Sequence, residues 1–270
     1  MNDEAQQPGH TSAAELQQLL DFAVGLARGA GDITLGYFRR NFRTERKADG
    51  SFVTQADREA ESYLRAQIRG SFPDDWIHGE EEGESAGTSG RRWILDPIDG
   101  TYAFVHGVPL YGVLVGLEIG GEASVGVVNI PALGELVAAA RGRGCFWNGE
   151  RARVSGVGSL AESLLLSTDF GTCAAYGFGE ATEDLQRRVH ARRTWGDCYG
   201  HLLVATGRAE IMLDPVMNVW DCAPLLPILE EAGGTFTDWQ GRPTIRGGNA
   251  ISTNGLLFAE TLKVVRRETN

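Results

Sequence analysis

Residues 93–104 read WILDPIDGTYAF. Trp93, Ile94 and Leu95 look like the end of a buried strand, and the chain then enters a turn that carries Asp96, Asp99 and Thr101. Pro97 holds φ at about −65° and removes a backbone donor. Gly100 permits a backbone conformation closed to other residues and lets a ligand approach closely. Two carboxylates three residues apart on so stiff a turn repel each other, and a divalent cation relieves that repulsion. Oxygen-only ligands favour Mg²⁺, Mn²⁺ or Ca²⁺ over zinc. Taken alone, the stretch serves equally as an ordinary turn, because Pro-x-Asp-Gly is a common turn signal. Its neighbours decide between the two.

The 270 residues suit one large domain or two closely packed halves, and 42% hydrophobic residues supply a substantial core. Net charge is 25 − 36 = −11. No basic footprint for nucleic acid is present, and an acidic chain is not drawn to an anionic membrane surface. A phosphate can still bind where metal ions supply local positive charge. Cys145, Cys173, Cys198 and Cys222 form no C-x-x-C pair, which argues against a zinc cluster or disulfide framework and for reduced thiols in the cytoplasm. The first ten residues, polar and acidic, resemble neither a signal nor a transit peptide and are expected to form a frayed tail. No apolar run reaches transmembrane length.

Ser12 and Glu15 suggest a capping box opening a helix to about Arg40, with a possible break near Gly31. Residues 44–52 look like a mobile loop, and Thr54 to Arg69 a second helix with Asp57 in its first turn. Strand signals at 110–119, 123–130 and 135–141, with turns at Gly120-Gly121 and Asn148-Gly149, predict helices on a largely antiparallel sheet. After a boundary near 155–160, strand candidates at 164–168, 211–214, 236–238 and 250–253 alternate with helical stretches at 179–191, 198–206 and from Asp221 to Gly233. The expected organisation is a half over 1–157 carrying most metal ligands. A second half, 158–270, carries the last ligand and the substrate-selecting residues, and the two form one compact unit.

TQAD at 54–57, GEE at 79–81, DPIDGT at 96–101 and WDCAP at 220–224 follow one another in the order and rough spacing of the inositol monophosphatase-like family, which the chain resembles over nearly its whole length. The resemblance implies a layered α/β/α/β/α sandwich, usually dimeric. It also implies a lithium-sensitive phosphomonoesterase using two or three Mg²⁺ ions, with Mn²⁺ a possible substitute. Position by position, it makes Glu80, Asp96, Asp99 and Asp221 the metal carboxylates and adds the Ile98 carbonyl. Thr101 paired with Asp57 would orient and deprotonate the attacking water, and the amides of Gly100 and Thr101 would hold the phosphate. Each residue alone has a plainer role: Asp57 as a helix-start charge, Asp221 as an N-cap, Glu80 as solvated charge, Thr101 as a turn hydroxyl. A carboxylate cluster is what two or more hard cations need in order to screen a phosphate dianion from its nucleophile. The D-x-x-D-G-T spacing also differs from the D-x-D-G-T of haloacid dehalogenase-type phosphatases, so Asp96 is not placed as a nucleophile.

Residues 193–215, RTWGDCYGHLLVATGRAEIMLDP, resemble the histidinol-phosphate phosphatase branch of that family. Asp197 and Asp214 would give an acidic pocket suited to a small cationic phosphate ester such as L-histidinol phosphate. Asp197 could instead cap the following helix, and Arg193 could contact substrate or a dimer partner. Tyr102 and Ala103 depart from the residues many relatives carry there. An inositol monophosphatase of broad specificity is the nearest alternative, and a catalytically silent metal- or phosphate-binding regulatory protein a more distant one.

Overall fold

The structure is a computed structural model that describes residues 11–47 and 50–266. The expected frayed tail and Asp49 lie outside the described residues. In chain order the elements are α1 (Ala13–Tyr37), β1 (Thr44–Arg46), β2 (Phe52–Thr54), α2 (Gln55–Ser71), β3 (Trp76–Gly79), β4 (Gly83–Ser85), β5 (Arg91–Asp99), α3 (Thr101–Val105), β6 (Gly112–Ile119), β7 (Glu122–Ile130), β8 (Glu135–Ala140), β9 (Gly144–Trp147), β10 (Glu150–Arg151), β11 (Leu164–Ser167), α4 (Phe170–Ala175), α5 (Gly179–Arg188), β12 (Ala191–Arg193), α6 (Asp197–Ala205), β13 (Ile211–Asp214), α7 (Val219–Glu231), β14 (Thr235–Thr237), β15 (Ala250–Thr253) and α8 (Phe258–Val265).

Two sheets organise these elements. An eight-stranded sheet runs β10-β9-β8-β7-β6-β5-β3-β4, and only its β3–β5 pair is parallel. A five-stranded sheet runs β12-β11-β13-β15-β14 and mixes parallel and antiparallel pairs. Strand alternation assigns the faces. Val113, Val115 and Leu117 of β6 point to one side and pack with Leu19, Ala23, Leu26, Leu64 and Ile68 of α1 and α2. Ile94, Leu114 and Val128 point to the other side and pack with Leu202, Ala223, Leu225 and Ile228 of α6 and α7. Met212, Leu166 and Phe236 close that middle layer from the second sheet. Leu165, Ile211, Leu213 and Ile251 face outward against Cys173, Leu185, Val264 and Val265 of α4, α5 and α8. The result is the expected α/β/α/β/α sandwich. Among the described residues no helix is long and apolar enough to cross a membrane.

The middle layer depends on one close approach. Gly116 of β6 and Gly126 of β7 are directly opposite in the ladder. A Cβ on Gly126 would stand 2.0 Å from the Pro224 carbonyl oxygen, and one on Gly116 would stand 2.8 Å from the Ala223 side chain. The paired glycines form a trough in which the first turns of α7 rest on the sheet. Pro224 and Pro227 both lie within α7. Seating α7 this deeply brings its N-terminal end, with Asp221, to the carboxyl end of β5.

Four local expectations change. The helix at 13–37 is unbroken at Gly31; Asn129 fills the space beside that glycine and donates to the Ala27 carbonyl at 2.9 Å. Ser12 does accept from the Glu15 amide, but the Glu15 carboxylate pairs with Arg91. Residues 44–46 and 52–54, expected within or beside a mobile loop, pair as antiparallel strands β1 and β2, with Phe52 packed against Tyr102. Helices α3, α4 and α8 have no counterpart in the sequence reading, because two are too short to show a period.

Candidate active site

β5 ends in the quoted turn, and this end of the sheet gathers the acidic residues. One oxygen from each of Asp96, Asp99 and Asp221 lies within 4.8 Å of the other two. Asp96 is 2% exposed and accepts from the Ile98 amide at 3.0 Å, which folds the Pro97 turn back on itself. Gly100 then adopts φ +80°, the left-handed conformation for which glycine is suited, and α3 starts at Thr101. Asp99 accepts from the Cys198 amide of α6 at 2.5 Å. The middle helical layer thus holds an acidic side chain that belongs to the first sheet.

Asp57 and Asp221 solve the same local problem twice. Each is the third residue of its helix and closes a capping box. Asp57 Oδ2 accepts from the Thr54 amide at 2.8 Å and hydroxyl at 2.5 Å, and Asp221 Oδ2 accepts from the Asn218 amide at 2.7 Å. The helix-start role therefore occupies one oxygen of each carboxylate and leaves the other available. Asn218, not Asp221, is the N-cap of α7. Asp57 Oδ1 is buried without a hydrogen-bond partner.

Burial decides the electrostatics. It pushes Asp96 well above the ordinary carboxylate range, and the charges of Glu80, Asp99 and Asp221 push it further. Asp221 is raised well above that range by burial and then by Asp99. Asp99 is raised less, because the Cys198 hydrogen bonds oppose burial. Burial takes Asp57 up to about 7 against the Thr54 hydrogen bonds, with Glu81 and Glu80 adding to the rise. Such a cluster of mutually repelling, buried, all-oxygen groups fits a hard divalent cation, and the partnerless Asp57 Oδ1 is consistent with a polar occupant.

Glu80 follows β3, and its amide donates to the Leu95 carbonyl at 3.2 Å. Its carboxylate raises Asp96 by charge and hydrogen bonding and is met by Lys47 Nζ at 2.8 Å. Lys47 also holds Glu81 at 2.7 Å. Burial alone would lower the Lys47 pKa, but these two hydrogen bonds outweigh it and leave it raised. Lys47 thus brings a cationic side chain to the edge of the acidic cluster. The Thr101 hydroxyl donates to the Ile98 carbonyl at 2.9 Å, and no hydrogen bond joins it to Asp57. The expected Thr101–Asp57 pair is thus not formed, because the hydroxyl closes its own turn.

Beside the cluster opens a cleft of about 210 Å³ lined by Asp99, Thr168, Asp197, Asp214, Val216 and Asp221, among others. Asp197 sits at φ +51°, unusual for a residue with a side chain, and does not cap α6 with that side chain. Its amide donates to the Thr168 hydroxyl at 2.8 Å, which in turn donates to Asp214 Oδ2 at 2.8 Å. Burial and the charges of Asp99 and Asp214 raise Asp197 well above the carboxylate range, and burial takes Asp214 up to about 7 against its Thr168 bond. Thr168, which joins these two, escaped sequence reasoning because a threonine at a strand end carries no motif. Arg193 lies exposed on edge strand β12, over Trp195, and does not line the cleft.

The geometry has counterparts among known proteins. The model of the inositol monophosphatase family matches residues 15–269. A histidinol-phosphatase from Chlorobaculum parvum is 46% identical over 233 residues, 86% of this chain and 90% of that protein. A histidinol-phosphatase from Mycobacterium tuberculosis is 40% identical, with 90% of this chain and 96% of that one aligned. The solved structure of an IMPase from Thermotoga maritima, 35% identical, superposes with a TM-score of 0.84 over 93% of this chain and 97% of its own. The chain belongs to the inositol monophosphatase family and is a phosphomonoesterase.

Proposed function

We propose that the protein is a Mg²⁺-dependent histidinol-phosphatase, releasing L-histidinol and phosphate. Glu80, Asp96, Asp99, Asp221 and the Ile98 carbonyl would hold two or three ions, with Mn²⁺ a possible substitute. Bound there, the metal supplies the positive charge that acidifies water and screens the phosphate dianion. The chain's own groups supply the rest. Asp57 is buried and has one oxygen without a partner, and in the metal-free chain burial pushes it up to about 7, a group suited to take a proton from the attacking water. Thr101 would help orient that water, and the amides of Gly100 and Thr101 would bind the phosphate.

The observation that carries the substrate assignment is the acidic wall of Asp197 and Asp214, where Thr168 ties the Asp197 backbone amide to the Asp214 carboxylate and no lysine or arginine among the described residues lines the cleft. Burial and mutual repulsion hold these two carboxyl groups back from ionising, and a cationic alcohol that draws them into the charged form gains an attraction that a neutral polyol does not. The histidinol-phosphatases similar to the chain support the same choice. The absence of a basic residue in that lining also disfavours substrates with a second phosphate. Compartment and assembly complete the reading as a cytoplasmic homodimer sensitive to lithium, organised as the two halves given above, with Arg193 turned toward a partner rather than substrate. Steady-state kinetics on L-histidinol phosphate and inositol 1-phosphate test the assignment. The expected result is a kcat/KM at least tenfold higher for the former, and a preference for inositol 1-phosphate would refute it.

A further inference from the structure

We infer that Glu61 is a positioning residue for the Glu80 ligand, held to that task by Arg65. Glu61 and Arg65 lie one and two turns beyond Asp57 on the same face of α2. Glu61 is fully buried and Arg65 is 2% exposed. The Glu61 carboxylate binds backbone rather than solvent: Oε2 accepts from the Glu81 amide at 2.7 Å, and Oε1 accepts from the Glu82 amide at 3.0 Å. Oε1 also accepts from Arg65 Nε at 2.7 Å. Arg65 continues outward, donating to the Gly83 carbonyl at 2.5 Å and to the Ser85 hydroxyl at 3.1 Å. A Cβ on Gly79 would stand 2.1 Å from Glu61 Oε1, so the strand before the turn leaves room for this carboxylate.

The Glu80 amide runs to β5, the Glu81 and Glu82 amides and the Gly83 carbonyl run to this one ion pair, and Gly83 also pairs with Gly79 of β3. Three successive glutamates repel one another, and the flanking glycines alone would leave their backbone free to move. A buried ion pair is a poor way to stabilise a fold, because apolar side chains of similar size do as well or better. Its value here is directional. It fixes the backbone on which Glu80 is mounted to the same helix that carries Asp57, so the ligand and the base keep one relative placement. Groups that orient metal ligands in this way typically change metal affinity by about ten- to a hundredfold when removed.

The inference rests on Glu80 being a metal ligand, and the test separates the two. Glu61→Gln keeps the shape but must turn its amide group toward a backbone N–H or toward Arg65, placing donor against donor. Mg²⁺ binding is measured by titration calorimetry without substrate, alongside amide hydrogen exchange at Glu81 and Glu82 and the melting temperature. The expected result for Glu61→Gln is Mg²⁺ affinity lower by about tenfold or more, with faster exchange at both amides. Glu80→Gln is the reference. If Glu80→Gln binds Mg²⁺ as tightly as wild type, the ligand reading fails. If Glu80→Gln weakens binding while Glu61→Gln changes only the melting temperature, the positioning role is overturned. Should Glu61→Gln fail to fold, Arg65→Lys keeps the charge but loses the fork to Gly83 and Ser85; a several-fold weaker Mg²⁺ affinity is expected, and unchanged affinity overturns the inference.

Discussion

Replacing Asp57 with asparagine should make the metal-free protein more stable while disabling it, and the gain should grow as pH rises from about 4 and level off above about 7. The group's ordinary pKa is 3.8 and burial raises it to about 7 in the folded chain. A carboxyl raised on folding stabilises fully below its unfolded value, and that contribution is lost as pH rises through the folded one. Each pH unit in between is worth about 1.36 kcal/mol. From pH 5 to pH 8 the wild-type protein therefore loses about 3 kcal/mol through Asp57 alone. Asparagine never ionises and keeps an oxygen for the Thr54 amide and hydroxyl, so the helix cap survives. At roughly 2–4 °C per kcal/mol for a chain of this size, the stability difference between Asp57→Asn and wild type should widen by about 6–12 °C between pH 5 and pH 8. Thermal melts in excess chelator at the two pH values measure it. Loss of a general base should lower kcat by about a hundredfold or more. A difference that does not grow with pH, or a variant that turns over at the wild-type rate, would refute the account of Asp57 as a buried, near-neutral base.

Chelation should abolish phosphate release, and Mg²⁺ at about a hundred times its dissociation constant should restore it and add about 2.7 kcal/mol to the unfolding free energy; activity persisting in chelator would contradict the metal reading. Asp96→Asn, which removes one of three carboxylates within 4.8 Å of one another, should lower Mg²⁺ affinity by about tenfold or more in calorimetry and abolish measurable turnover. Asp197→Asn should raise KM for L-histidinol phosphate by about tenfold with little change for inositol 1-phosphate, as measured by parallel kinetics. Gly126→Ala forces a methyl group onto the Pro224 carbonyl; denaturant melts should show a loss of about 1–3 kcal/mol, with weaker Mg²⁺ binding as Asp221 shifts.

The largely antiparallel first sheet and the Asp96–Asp99 turn were legible from the residues themselves, whereas the five-layer stacking and the remaining acidic members followed from the family resemblance. β6 and β7 alternate cleanly between two apolar faces, and Asp96 and Asp99 share one turn with their proline and glycine. What the sequence hid depends on distance along the chain. Gly116 and Gly126 look like weak points in two strands until the ladder pairs them and α7 descends onto them. Thr168 is 29 residues from Asp197 and 46 from Asp214, so nothing local announces its double hydrogen bond. Lys47 lies on a glycine-containing charged stretch that resembles a loop, and only the β1–β2 pairing shows how it reaches Glu80. Glu61 did carry a trace, four residues after Asp57 on a helix face otherwise buried, but its partner is backbone and backbone has no sequence signature.

The shared carboxylates of Asp57 and Asp221 limit how this centre can be re-engineered. Glutamate can also close a helix from the third position, but its longer side chain must fold back to do so, which moves the second oxygen, so ligand reach and helix closure change together at both residues. Retuning toward a larger cation is therefore better attempted at Glu80, whose side chain closes no helix and whose partner Lys47 directly follows β1.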